Sequence, residues 1–190
     1  MCDHSTPPER LPLNGIYFFF EVGEKAWIAQ REGGRMVRVG INTTENRFRE
    51  RIGLHFGNLQ DLGGSRKSSV FRKHVGGALL RREGHSEEAL QAWHDESAPA
   101  DRRTEEAVSR YMRANLTFAW KEVPQEQLRK HLEIRLIALL AQYSPCPPSA
   151  DWLGRHAMSE VIRRTGLWNV QHTGGEPATA DDLRRLRDLA

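Results

Sequence analysis

The sequence has 190 residues, which is the length of one domain with extensions, or of one domain and a half. Hydrophobic residues make up 38% and charged residues 28%, which is typical of a rather polar globular protein. No stretch approaches the roughly 20 apolar residues that a membrane span needs, and Met1 to Arg10 lacks the apolar core of a signal peptide. We therefore expect no membrane association. A formal net charge of +3 weakly favours a polyanionic partner such as nucleic acid.

The two cysteines, Cys2 and Cys146, show neither the spacing of a metal site nor a disulfide framework. Disulfides are rare in reducing compartments. We therefore expect a cytoplasmic protein.

The first third of the chain alternates between aromatic or β-branched runs and glycine-containing breaks, a pattern that predicts short strands joined by turns. Short connections favour antiparallel pairing. In chain order we predict a disordered lead-in (Met1 to Leu11), a strand (Asn14 to Glu21), a turn (Val22 to Glu24), a short strand (Ala26 to Ala29), a turn (Glu32 to Gly34) and a strand (Arg35 to Ile41).

The rest of the chain is mainly helical in its apolar spacing, with one more alternating strand. Capping residues place several helix starts, such as Ser86 and Thr104. The predicted helices are Asn46 to Phe56, Ser69 to Arg82, Ser86 to Trp93, Thr104 to Met112, Gln125 to Gln142, Ser159 to Arg164 and one from Ala180, and the strand is Leu116 to Val123.

These elements predict an α/β fold of the α+β type, with a small, mostly antiparallel sheet of about three or four strands flanked by helices. We expect a flexible lead-in at residues 1–11, a domain at 12–143, and an extension at 144–190 that packs on the core.

Four motifs with chemically useful side chains follow one another along these elements. Gly15-Ile16-Tyr17 lies in the first strand, and Arg38-Val39-Gly40 ends a later one. Arg51 and His55 lie one helical turn apart and so share a helix face. Glu133 lies in the longest helix. An arginine can bridge phosphate oxygens and a carboxylate can hold a hard cation, so the set is suited to phosphate chemistry.

Each of these residues also has an ordinary structural interpretation. A tyrosine in an aromatic strand is usually a core residue, and Arg51 with His55 could form a solvated helix face. Glu133 could pair with Arg129 or Arg135 on the surface, an interaction worth little.

The ordered set resembles the GIY-YIG nuclease family over about Leu13 to Gln142. Arg51-Ile52-Gly53-Leu54-His55-Phe56 is similar to that family's Arg-Leu-x-x-His-Phe helix, and the helix around Glu133 is similar to the one that carries its metal-binding glutamate. Segments similar to a bacterial, largely uncharacterised branch of the family are Ser68 to Gly76, Asp151 to Gly154 and Gly166 to Asn169.

The resemblance implies a GIY-YIG-like fold and a metal-dependent endonuclease that hydrolyses phosphodiester bonds in nucleic acid, with DNA the expected substrate. It implies that Tyr17 accepts a proton from the attacking water, that Arg51 and His55 belong to the catalytic set, and that Glu133 binds one divalent ion, Mg²⁺ or Mn²⁺. Because tyrosine holds its proton tightly at neutral pH, a cation or a partner such as His55 must help.

The sequence departs from the family pattern at the second motif, which normally begins with tyrosine. Arg38 stands there, and it cannot accept a proton, so it is expected to contact phosphate or water at the metal, or to be structural. The long gap between Gly40 and Arg51 indicates a small insertion around Thr43 to Asn46. Asn169 is a possible counterpart of the asparagine that often follows the family's glutamate.

Five residues are predicted to contact the nucleic-acid backbone: Arg38, Lys67, Arg72, Lys73 and His74. A solvated basic helix face is the alternative interpretation. Two other functions stay open. One is a catalytically weakened or inactive GIY-YIG-like module that only binds nucleic acid, which Arg38 favours. The other is an interaction protein that uses its leucine-striped helix.

Overall fold

The fold is that of a computed structural model, which describes residues 1–28, 31–99, 101–143 and 146–189. Within these residues three strands form one antiparallel sheet and seven α-helices surround it, which confirms the predicted α+β class. The elements are β1 (Gly15–Ile28), β2 (Arg31–Ile41), α1 (Phe48–Phe56), α2 (Val70–Arg82), α3 (Glu87–His94), α4 (Arg102–Asn115), β3 (Leu116–Glu122), α5 (Glu126–Tyr143), α6 (Glu160–Thr165) and α7 (Ala180–Asp188).

The sheet has the order β2-β1-β3, so the aromatic first strand lies in the centre. Tyr17 faces Gly40 of β2 on one side and Trp120 of β3 on the other. A central strand is covered on both faces, and side chains of both parities, such as Ile16 and Tyr17, are therefore buried.

β1 is longer than predicted because the expected turn at Val22 to Glu24 is an irregularity within one strand. The pairing with β2 shifts between Phe20 and Lys25, and Gly23 has a φ of 85°. Glycine tolerates this conformation, which lets the strand bulge and continue. The predicted turn at Glu32 to Gly34 likewise lies within β2. Ala29, the last residue of the predicted short strand, lies outside the described residues.

Each face of the sheet packs against its own set of helices. Tyr17 and Phe19 point into a core that includes Phe48, Phe56 and Phe71. On the opposite face, α5 packs against the strands. The residues of that second core are Ile16, Phe18, Val39, Ile41, Val123, Leu132, Leu136 and Ile137.

The leucine stripe of α5 is therefore partly an internal surface. Leu132 is fully buried and Leu136 is 5% exposed, whereas Leu128, Leu139 and Leu140 are half-buried. Part of the stripe therefore packs inside the fold, which reduces the surface on which the interaction-protein hypothesis depended. In the described part of the chain, no helix combines the length and the apolar character that would let it cross a membrane.

Helix starts follow the capping pattern with one correction. Ser86 caps α3, as predicted, because its side chain accepts a hydrogen bond from the Ala89 amide. Thr104 is not the cap of α4. Asp101 takes that position by accepting hydrogen bonds from the amides of Arg103 and Thr104, so the helix begins earlier than predicted.

The residues predicted as a disordered lead-in make contacts with the sheet. Cys2 and Phe118 exchange two backbone hydrogen bonds of 2.8 Å, and Leu11 is buried. β3 is an edge strand, and an edge offers unpaired backbone groups to a neighbouring segment. Composition alone did not indicate this pairing.

The other edge, β2, is covered by the C-terminal segment. The Trp168 amide donates to the Val37 carbonyl over 2.7 Å. The indole nitrogens of Trp152 and Trp168 each donate to Glu21 Oε2 over 3.0 Å, and Tyr111 donates to the other carboxylate oxygen. This buried carboxylate joins the central strand to α4 and to the C-terminal segment.

Candidate active site

A cleft of about 300 Å³ opens beside the edge strand β2. It brings together side chains from β1, β2, α1, α2 and α5, from the loop after β2 and from the segment after α6. Its lining residues are Tyr17, Arg38, Ile41, Thr43, Arg51, Val70, Glu133, Ile137, Asn169, Val170, Gln171 and His172.

Tyr17 forms the floor of the cleft. Its ring lies across Gly40, and an alanine Cβ at position 40 would overlap the Tyr17 hydroxyl oxygen and ring. The glycine of the second motif is thus needed because the first motif's tyrosine occupies the space of a side chain. The Tyr17 hydroxyl lies 2.9 Å from His55 Nε2, with which it forms a buried hydrogen bond.

His55 lies beneath Tyr17 and does not line the cleft. Its side chain is fully buried, and its second ring nitrogen, Nδ1, hydrogen-bonds to Ser69 Oγ over 2.8 Å. Burial, followed by the positive charges of Arg51, Arg38 and Arg72, holds the pKa of His55 well below its ordinary value. His55 is therefore neutral at physiological pH.

Arg51 lies one turn before His55 on α1 and is half-buried at the cleft wall. Its Nη1 donates to the Ser68 carbonyl over 3.0 Å, which anchors one side of the guanidinium. A planar guanidinium held in this way can offer its remaining donors to a phosphate.

Arg38 is buried between the cleft and α2. Its Nη1 donates to the Trp168 carbonyl over 3.1 Å, and its guanidinium carbon lies 4.8 Å from the centre of the Phe71 ring. Burial lowers the pKa of Arg38, whereas the nearby Tyr17 hydroxyl and Glu133 carboxylate raise it. The departure from the family pattern thus puts a buried cation beside the tyrosine.

Glu133 enters the cleft from α5 and is half-buried. Burial raises the pKa of its carboxyl, and Arg38, Arg51 and the Ile41 backbone oppose this rise. Neither alternative partner from the sequence pairs with it. Arg129 donates to the carbonyls of Val123 and Pro124, and Arg135 pairs with Glu176 over 2.9 Å.

Asn169 lines the cleft, but its amide is engaged by the sheet. Its Oδ1 accepts from the Val39 amide over 3.0 Å, and its Nδ2 donates to the Val39 carbonyl over 2.9 Å. One side chain thus pairs both backbone groups of Val39, the middle residue of the second motif, on the outer edge of β2.

The basic residues predicted to contact nucleic acid do not share a surface. Arg72 is fully buried and pairs with Glu105 over 2.8 Å. The predicted contact of Arg72 with phosphate is therefore corrected, because its guanidinium is part of the core. His74 is 8% exposed, and burial and then the charge of Arg38 lower its pKa to about 3. Both residues lie on the inner side of α2. The sequence pattern had predicted that they lie on an exposed basic face of this helix.

The other two α2-region residues differ from each other. Lys73 is 19% exposed at its side chain and pairs with Glu96 over 2.6 Å. Lys67 is exposed. Among the five predicted contacts, Arg38 lines the cleft and Lys67 lies on open surface.

Sequence reasoning missed Ser69 and His172. Ser69 was expected only as the start of α2, and its contact with His55 depends on the crossing of α1 and α2. His172 lines the cleft with a φ of 64°, a conformation that only tertiary structure reveals.

The donor set of the cleft fits a hard divalent cation bound mainly by solvent and substrate. Within the described residues, no three histidine, cysteine, aspartate or glutamate side chains are grouped so that they could hold a metal. Mg²⁺ is commonly bound by one or two carboxylates, with water and phosphate as its remaining ligands, and Glu133 offers one carboxylate in the cleft.

A family model described as "GIY-YIG domain" matches residues 3–189, which include most of the predicted lead-in and all but the last residue of the C-terminal extension. Neither the curated proteins nor the solved structures gave a match to the chain. The family match spans nearly the whole sequence and agrees with the motifs around the cleft, and the chain therefore belongs to the GIY-YIG domain family of the nuclease superfamily.

Proposed function

We propose that the protein is a metal-dependent endonuclease that hydrolyses phosphodiester bonds in nucleic acid, with DNA as its substrate. The observation that carries the proposal is the cleft itself. Tyr17, Arg51 and Glu133 come from three different elements and meet there, and a buried histidine supports the tyrosine from below.

Tyr17 is assigned to the proton transfer. Its oxygen hydrogen-bonds to the neutral His55 ring and interacts with the buried Arg38 cation. The lowered pKa of His55 makes the histidine a poor proton acceptor, which supports the assignment of the transfer to Tyr17. A deprotonated Tyr17 would take one proton from the attacking water and later return it to solvent, which leaves the residue unchanged.

Arg51 is assigned to the reacting phosphate. One side of its guanidinium is fixed by the Ser68 carbonyl, and the cleft is open to the other side. Charge builds on the phosphoryl oxygens during phosphodiester hydrolysis, and a preorganised cation stabilises it.

Glu133 would hold one Mg²⁺ or Mn²⁺ together with water and a substrate oxygen. When bound, such an ion neutralises charge at the phosphate. Arg38 and Arg51 favour the ionised carboxylate that a cation requires, although burial acts against it.

A plasmid-nicking assay with purified protein tests the proposal. Glu133→Ala and Tyr17→Phe should each lower Mg²⁺-dependent cleavage by about 100-fold or more, the range expected for loss of a metal ligand or general base. Glu126→Ala and Tyr143→Phe are matched controls, because Glu126 lies outside the cleft on the same helix and Tyr143 is 64% exposed at its end.

Full activity in either cleft variant would refute the assignment of that residue. Salt-sensitive binding with no cleavage under any divalent ion would instead favour the module that only binds nucleic acid. Parallel reactions with duplex DNA, single-stranded DNA and RNA identify the substrate, and cleavage confined to RNA would overturn the choice of DNA.

A further inference from the structure

Ser69 connects the buried histidine to the start of a helix. It is the N-cap of α2, where its Oγ accepts a hydrogen bond from the Arg72 amide over 3.3 Å. The same oxygen lies 2.8 Å from His55 Nδ1, and the Ser69 side chain is fully buried. Ser69 is thus part of two hydrogen bonds that solvent does not reach.

The numbers of donor protons and acceptor lone pairs on each group decide which atom donates in these two hydrogen bonds. A serine hydroxyl has one proton to donate and lone pairs with which to accept. The Arg72 amide can only donate, so its hydrogen bond occupies a lone pair of Ser69 Oγ and leaves the hydroxyl proton free for another acceptor. Among the described contacts of Ser69 Oγ, His55 Nδ1 is the one group that can receive the hydroxyl proton. A buried hydroxyl proton is rarely left without an acceptor.

The charge state of His55 then decides which of its two ring nitrogens carries a proton. Burial and the surrounding arginines keep its pKa well below the ordinary value, so the ring carries a single proton. If Nδ1 accepts from Ser69, that proton is on Nε2. The Nε2–H group then points at the Tyr17 oxygen, which lies 2.9 Å away.

We propose that Ser69 is a positioning residue that fixes His55 as the Nε2–H tautomer, so that His55 donates to the Tyr17 oxygen. The hydroxyl proton of Tyr17 is then directed away from His55 and toward the cleft. His55 does not act as the proton acceptor for Tyr17. It is a neutral donor that supports negative charge on the phenolic oxygen.

The opposite tautomer would require a less favourable proton path. In that arrangement Tyr17 would donate to Nε2, and its deprotonation would create an imidazolium buried among Arg38, Arg51 and Arg72. In the proposed arrangement the tyrosine proton leaves through the cleft to solvent. The resulting phenolate then accepts one proton from water, and no charge forms on the histidine.

Proton positions are assigned from the hydrogen-bond network, so the decisive measurement is one that detects them directly. Long-range ¹H–¹⁵N NMR of the uniformly labelled full chain distinguishes a protonated from a bare ring nitrogen, and a His55→Gln spectrum identifies the signals of His55. We expect a protonated Nε2 and a bare Nδ1. A protonated Nδ1, or an imidazolium ring at neutral pH, would overturn the proposal.

Two substitutions test whether Ser69 determines the tautomer of His55. Ser69→Thr keeps a hydroxyl and should keep the tautomer. Ser69→Asp still caps a helix, because aspartate is a good N-cap, but it can only accept, so the His55 proton should move to Nδ1. An unchanged tautomer in folded Ser69→Asp would contradict the causal role, and the wild-type spectrum decides the tautomer even if this variant fails to fold.

The catalytic consequence rests on the proposed nuclease function, whereas the tautomer does not. We expect Ser69→Asp to lose about 10- to 100-fold in kcat, as is usual for residues that orient a catalytic group, and Ser69→Thr to retain activity. If the wild-type protein cleaves no nucleic acid, the proposed function fails while the NMR result still stands. If Ser69→Asp reverses the tautomer and keeps full activity, only the catalytic consequence fails.

Discussion

Gly40 determines how Tyr17 sits in the cleft. The tyrosine ring fills the position that a side chain at residue 40 would take, and the ring is itself 1% exposed and bonded to His55. A Cβ at position 40 would therefore force the tyrosine ring out of its place. Because Tyr17 pairs with Gly40 across β1 and β2, the residue opposite the tyrosine must lack a side chain.

Gly40→Ala should displace the Tyr17 ring and break its bond to His55. We expect a destabilisation of about 1–3 kcal/mol, as for other overpacked core sites, together with loss of cleavage. Urea unfolding and plasmid nicking measure the two effects. Gly53→Ala is the control, because nothing lies within 4 Å of its added Cβ on α1, and alanine there should stabilise the helix. Unchanged stability and activity in Gly40→Ala would contradict the described contact.

The ionised Glu133 carboxylate is predicted to destabilise the folded state. Burial raises its pKa, so the folded state binds the carboxyl proton more tightly than the unfolded state does. The destabilisation is therefore absent below the unfolded pKa of about 4.3 and is fully developed above the raised folded value. Glu133→Gln should be more stable than wild type at pH 7, and the difference should vanish as the pH approaches 4.

Thermal unfolding across this pH range tests the prediction for Glu133, with the exposed Glu126→Gln on the same helix as control. Millimolar Mg²⁺ should raise the Tm of wild type and leave that of Glu133→Gln unchanged, because only a carboxylate gains from binding the ion. A variant less stable than wild type at every pH would mean that the two arginines outweigh the cost of burial.

Among the helices and strands, the sequence predicted best where the pattern is local. α5 and α1 follow their apolar spacing, and the start of α3 follows its serine cap. The bulge at Gly23 was predicted as a turn because glycine favours both, and only pairing with β2 selects the bulge. The two covered sheet edges are likewise tertiary features without a local signal.

The same division holds for the site. The resemblance of the ordered motifs to the GIY-YIG family was enough to predict that Tyr17, Arg51 and Glu133 belong together. The burial of Arg72 was not predictable from the sequence, because its partner, Glu105, lies on a different helix. A basic residue on an amphipathic helix is usually solvated, and long-range pairing reverses that expectation here.

An aspartate of α7 bonds to α5, beside the apolar contact that Leu186 makes with the second core. Asp182 and Thr179 form a capping box, and Asp182 Oδ1 also hydrogen-bonds to His131 Nε2 over 2.7 Å. Burial raises the pKa of Asp182, but hydrogen bonds from Thr179 and His131 outweigh this and lower it to about 2. This stabilisation is present above the unfolded pKa of about 3.9 and is lost as the pH falls through about 2.

Asp182→Ala should loosen α7, because it removes both the cap and the bond to α5. A lost cap costs about 1 kcal/mol, and the arginines of α7 should become accessible to trypsin. Asp181→Ala is the matched control, since Asp181 is an exposed first-turn neighbour whose ion pairs with Arg184 and Arg185 contribute little. Equal trypsin resistance of Asp182→Ala and wild type would show that other contacts hold the helix.

At the scale of the whole molecule, both chain ends complete the sheet. Cys2 pairs with Phe118 of β3, and residues 168–169 bond to Val37 and Val39 of β2, so part of each sheet edge is covered. The second of these contacts also builds the cleft, because the Trp168 carbonyl holds Arg38 and Asn169 holds the second motif. The C-terminal segment is in this sense part of the site.

A chain that ends at Tyr143 should therefore fail to fold cooperatively. It lacks Trp152 and Trp168, which are at most 2% exposed, and it leaves the buried Glu21 carboxylate without two of its donors. Loss of one buried tryptophan side chain costs about 3–5 kcal/mol, and domains of this size are stable by only about 5–15 kcal/mol.

Urea unfolding followed by circular dichroism distinguishes this truncation from a milder one. A chain that ends at Gly175 keeps both tryptophans and Asn169 and removes α7, so it should unfold cooperatively at a lower urea concentration than the full chain. The chain that ends at Tyr143 should show no sigmoidal transition. If it does unfold cooperatively, residues 12–143 form an independent domain, and the C-terminal segment adds stability to a sheet that can close without it.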